Sequence, residues 1–89
     1  MPAETDAETA LDLIEKDAFQ PGPHWAKAHE IAQRHEGVSL FDAIHALLHR
    51  IEGDHANAAY WDRRAGTDYG QNGVSDELSK LRAALANMK

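Results

Sequence analysis

Alanine sets the terms on which this chain can fold. It supplies sixteen of the hydrophobic residues and leaves only twenty-two larger apolar side chains across 89 residues. So thin a core is filled most readily by closely packed helices, because alanine lets backbones approach and has the highest helix propensity. Sheet formers are scarce, with two valines and four isoleucines. The composition predicts an all-α protein, one helical domain over residues 1–89, near the size at which a single core supports itself. It also leaves room for a homodimer as added stabilisation.

Apolar residues recur at helical intervals between breaks. The spacing predicts a compact bundle of about five helices, near 5–18, 23–36, 39–52, 54–65 and 75–88. Thr5 and Glu8 have capping-box spacing ahead of Ala7, Ala10, Leu11, Ile14 and Ala18. Pro21 and Pro23 then form a rigid turn, with Pro23 suited to the first turn of a second helix. Trp25, Ala28, His29 and Ala32 share one stripe of that helix, and Gly37 suits its C-cap. Ser39 and Asp42 open a third, whose apolar face is Leu40, Ile44, Leu47, Leu48 and Ile51. Gly53 ends it, Asp54 caps the fourth and Gly66 closes that one. Ser75 caps the last, lined by Leu78, Leu81, Leu85 and Met88, and its terminal lysine suits the helix dipole. Residues 39–66 thus form a tight central hairpin.

Nine basic against fifteen acidic residues give a net charge of −6 at pH 7. That balance argues against nucleic acid and against an anionic membrane surface. The absence of cysteine removes disulfides, thiolate metal sites and cysteine nucleophiles. An acidic, polar start unlike a signal peptide and the lack of a long apolar run lead to the expectation of a soluble, cytoplasmic protein.

The densest stretch is HALLHRIEGDHANAAYWDRRAG, residues 45–66. It resembles the hallmark of a family of uncharacterised, mostly bacterial proteins with fungal relatives, HxxLHRxEGDxxNAxYWxRRAG preceded by Trp-x-x-x-His. The agreement rests on Trp25, His29 and Gln33, then on His45, His49, Arg50, Glu52, Gly53, Asp54, Asn57, Ala58, Tyr60, Trp61, Arg63, Arg64, Ala65 and Gly66. The resemblance implies membership of that family and no particular activity. One position departs: the residue after Tyr-Trp is usually aromatic there and is Asp62 here, so no three-aromatic cluster is implied. Residues 39–66 are also similar to a single tetratricopeptide hairpin, though no second copy makes a solenoid.

His45 and His49 stand four apart, and Glu52 follows three later, so all three share a stripe bordering Phe41 and Leu48. His29 lies on the inward stripe of the helix expected to pack beside them. Two readings follow. His29, His45, His49 and Glu52 could converge on Zn²⁺ or another divalent metal, with Glu52 as ligand or general base. Alternatively, the histidines could hydrogen-bond Glu52, Asp54 or backbone and stitch the helices together. The zinc-protease glutamate is missing, since position 46 is alanine. Arg50, Arg63 and Arg64 could contact an anion, but dipole compensation and an Arg50–Asp54 pair explain them more simply. Trp25, Tyr60 and Trp61 read as core or near-core aromatics, and Asn57 as backbone support. The leading expectation is a non-enzymatic binding or interaction module with a protein partner, built around the His45, His49, Glu52 and Asp54 network. The rival is a metal-binding protein or metal-dependent hydrolase. A third reading, an acidic cover for a basic protein surface, rests on charge alone.

Overall fold

The computed structural model describes residues 3–88, and within them the five expected helices are present: α1 (Ala3–Lys16), α2 (Pro23–Arg34), α3 (Ser39–Ile51), α4 (His55–Ala65) and α5 (Val74–Met88). A short 3₁₀ turn, Gly70–Asn72, precedes α5. Met1, Pro2 and the terminal Lys89, expected to compensate the α5 dipole, lie outside the described residues. No helix among those described is long and apolar enough to cross a membrane.

The third helix is the axis of the bundle. Every residue from Leu40 to Leu48 is buried, and α3 packs against each of the other four helices. The expected one-sided apolar stripe is therefore too narrow a description: α3 is surrounded. Alanines at 7, 10, 28, 32 and 43 in the common core let α1 and α2 come close enough to cover it. Leu78, Leu81 and Leu85 close the other side. Met88, expected on that same stripe, is half exposed.

Helix ends differ from the expectation in a consistent way. Thr5, Ser39 and Ser75 lie inside their helices and do not cap them. Thr5 offers its carbonyl to the Thr9 hydroxyl. Ser39 donates its hydroxyl to the Ala65 carbonyl at 2.7 Å, tying the start of α3 to the end of α4. Helix α1 stops before Ala18, which is exposed. It ends in a Schellman pair, Phe19 N–H to Ile14 O and Ala18 N–H to Glu15 O. Ala18 and Phe19 take left-handed φ values of 52° and 61° to do so.

The second helix borrows its cap. Gly22 holds the N-cap position without a side chain. Asp17 Oδ2 instead accepts from the His24 and Trp25 backbone N–H groups at 3.1 and 3.2 Å. A Cβ on Gly22 would sit 2.9 Å from that oxygen, so the glycine clears the approach. The His24 ring hydrogen-bonds Asp17 as well, and chiefly for that reason the Asp17 carboxyl lies below its usual pKa.

Arg50 joins three helices. The expected Arg50–Asp54 pair does not form. Its Nε and Nη2 donate to Glu77 at 2.8 and 2.7 Å, and Nη2 also reaches Asp62 at 3.1 Å. Glu77 is 1% exposed. A buried carboxylate so placed is tolerable only because the guanidinium matches both of its oxygens. Asp62, where the resemblance anticipated an aromatic, is thus a partner in an ion cluster. Gly70 lies against the guanidinium, and any side chain there would collide with it.

Two stability changes test these features. Ala18→Gly relieves a left-handed alanine and should raise unfolding stability by about 0.5–1 kcal/mol in urea melts, net of glycine's larger unfolded-state entropy. Arg50→Ala strands Glu77 and should cost about 3–5 kcal/mol in the same assay. A loss under ~1 kcal/mol would mean that the cluster behaves as an ordinary surface pair.

Candidate functional site

The site forms where α2 packs on the C-terminal half of α3, with Trp61 of α4 against the same part of α3. Asp17 fixes the first turn of α2 and with it Trp25, whose indole N–H donates to the Leu48 carbonyl at 2.8 Å. Trp25 stacks on His29 one turn later, with ring centroids 5.1 Å apart. His29 then meets the α3 pair edge-on, 4.6 Å from His45 and 5.4 Å from His49. His45 and His49 are 4.9 Å apart. One ligand nitrogen from each of the three rings lies within 4.8 Å of the other two.

Each imidazole has a distinct setting. His49 Nδ1 is 2.6 Å from Glu52 Oε2, a pairing that leaves Nε2 as its free nitrogen. His45 was expected at the border of the core and is fully inside it, 3% exposed. Trp61 of α4 stacks on its ring at 3.9 Å. Its Nδ1 is buried without a hydrogen-bond partner among the described residues. An orphaned polar atom in a native core calls for an explanation, such as a bound ion or water. His29 is half-buried and stands between Trp25 and the α3 pair.

The electrostatics favour neutral rings at His45 and His29. Burial, followed by the charges of His29, His49 and Arg64, lowers the His45 pKa to about 4. Burial, followed by His49, lowers that of His29, with Glu52 opposing. Neutral imidazole is the form that binds metal.

Glu52 and Asp54 lie on the outer side. His49, Glu52 and Asp54 also bring one ligand atom each within 4.8 Å of the others. Asp54, however, caps α4 as expected: it accepts from the Asn57 backbone N–H at 3.2 Å and its side-chain amide at 2.7 Å. Those bonds, backbone first, depress the Asp54 pKa. Gly53, at φ 85°, lets the chain turn from His49 to that cap through a second Schellman pair.

The arginines do not meet at the site. Arg50 is committed to Glu77 and Asp62. Arg63 is exposed. Arg64 places its guanidinium 4.9 Å from the Trp61 ring and donates to the Tyr60 hydroxyl at 3.3 Å. Tyr60, expected near the core, is 43% exposed and meets Trp61 edge-on. The remaining paired histidines are structural: His24 belongs to the Asp17 cap, and His35 bonds Asp6 at 2.8 Å while stacking on Phe41.

Sequence reasoning missed Asp17, which positions Trp25. Its only local signal is an acidic residue shortly before a helix whose cap position is glycine. Compared with known proteins, the chain matches no family model, no curated protein and no solved structure.

The buried imidazole makes stability depend on pH in a defined direction. His45 is a base whose folded pKa, about 4, lies below the ordinary 6.5, so the unfolded chain takes up the proton first. For metal-free protein, this contribution is fully present above pH ~6.5 and should decline by about 3 kcal/mol as pH falls toward 4. Urea melts with chelator at pH 7.5, 6 and 5 would show the decline. A flat profile would contradict the burial of His45.

Proposed function

We propose that the protein binds a divalent transition-metal ion through His29, His45 and His49. The observation that carries this reading is the convergence of three imidazoles from two helices, the deepest of them with a buried nitrogen that has no partner among the described residues. Tetrahedral zinc with bonds of about 2.0–2.1 Å needs its nitrogen ligands about 3.3 Å apart. Small side-chain rotations cover the difference from the present spacing. Borderline ions such as Zn²⁺ suit an all-imidazole set, whereas Mg²⁺ and Ca²⁺ prefer oxygen.

A second reading is a helical interaction module whose histidines are purely structural. The run of ring contacts from Trp25 through His29 and His45 to Trp61, stacked at both ends and edge-on in the middle, favours it, since those contacts hold the corner together without an ion. Its docking surface would include the exposed Tyr60 ring beside Arg64, facing a protein partner or a second copy.

Elemental analysis of untagged protein, with melting curves in zinc and in chelator, separates the two. Metal binding predicts near-stoichiometric metal and a melt raised by zinc, because a ligand present at a hundred times its Kd adds about 2.7 kcal/mol. His29→Ala and His49→Ala should each abolish the zinc effect while leaving the fold intact. The structural reading predicts no metal, an unchanged melt, and a loss of ~1–3 kcal/mol in the same variants.

A further inference from the structure

We infer that Glu52 is a positioning residue and not a metal ligand, so that the ion at His29, His45 and His49 has three protein donors and keeps a coordination position for a small exogenous anion or water. The inference rests on the metal-binding reading and specifies the kind of site it is. The two carboxylates nearest the histidines are already engaged. Glu52 Oε2 holds His49 Nδ1 at 2.6 Å, and both oxygens of Asp54 are taken up by Asn57 at the start of α4. Among the described residues no carboxylate joins the three imidazoles in a single ligand cluster; Glu52 and Asp54 group with His49 alone. Cysteine is absent from the chain.

The Glu52 contact has the chemistry of an orienting partner. A carboxylate that accepts from one nitrogen of a histidine fixes the tautomer, turns the other nitrogen toward the ion and raises its basicity. Helix geometry supplies this contact directly, because Glu52 follows His49 by three residues at the C-cap of α3. Exposure rises from His45, 3% exposed, through the His49 side chain, 12% exposed, to the Glu52 side chain, 33% exposed, so the Glu52 side of the cluster is the one nearest solvent. Zinc sites with four protein donors are closed and structural; those with three leave a place for water or substrate. Three imidazoles graded from a buried His45 to a solvent-side His49, with no fourth protein donor in their group, belong to the second kind, and the ligand class they admit is a small monoanion such as azide, thiocyanate or a carboxylate.

Cobalt(II) tests both levels in one titration. The wild-type protein should take up one Co²⁺ with the intense visible bands of a four-coordinate ion, and added azide or thiocyanate should shift those bands saturably. Glu52→Ala should weaken binding roughly 10–100-fold with the wild-type spectrum unchanged. Glu52→Gln, whose amide oxygen still accepts from His49 Nδ1, should recover most of the affinity. Glu52 is exposed, so neither variant threatens the fold. Cobalt bands that ignore both anions and change form in Glu52→Ala would make Glu52 the fourth ligand; that overturns this inference and leaves the metal reading standing. Absence of saturable cobalt binding to the folded wild-type protein would overturn the metal reading and this inference with it.

Discussion

The burial of α3 on every side is the constraint from which the rest follows. With so few large apolar side chains, one helix serves as a surface shared by all the others, although α1 also packs directly on α2 and α5. From Leu40 to Leu48 that helix has no solvent face. The polar groups it carries must therefore find partners inside the protein. Asp42 accepts from the Gly37 N–H at 3.1 Å, and Arg50 finds Glu77. His45 Nδ1 has no hydrogen-bond partner among the described residues, and that exception is what makes this corner chemically interesting.

Local pattern made much of the fold legible in advance. Helical periodicity located all five helices, and the Gly53-Asp54 pair marked the central hairpin because a left-handed glycine followed by a capping aspartate is a purely local arrangement. Convergence of His29 with His45 and His49 was also readable, from one inward stripe facing another. The parts that were not readable depend on partners distant in sequence. Arg50 had Asp54 within one helical turn, yet Glu77, 27 residues away, offers both oxygens and a buried setting. Asp17 caps a helix it does not belong to, and Ala18 accepts a backbone conformation usually left to glycine so that α1 can end where Phe19 packs on the core. Placing His45 at the border of the core assumed a one-sided α3. The capping signals at Thr5, Ser39 and Ser75 were displaced because each helix begins at or before the residue that looked like its cap.

At the candidate site, the fold and the chemistry meet. The Asp17 cap sets Trp25, Trp25 sets His29, and the hairpin turn sets Glu52 beside His49, so two of the three imidazoles are held by neighbours at helix ends, while Trp61 inside α4 stacks on the third, His45. Burial favours the neutral form of His45 and His29, the form suited to coordinating an ion.

The central claim is that these three imidazoles, and no others of the six, act on one ion. Histidine-selective ¹H–¹⁵N spectra recorded through a zinc titration test it most directly. The account predicts that His29, His45 and His49 shift together and saturate at one equivalent, with His49 metallated at Nε2 and its Nδ1 proton retained toward Glu52, while His24, His35 and His55 stay in place. Spectra that do not change, or shifts confined to His24 and the exposed His55, would contradict it.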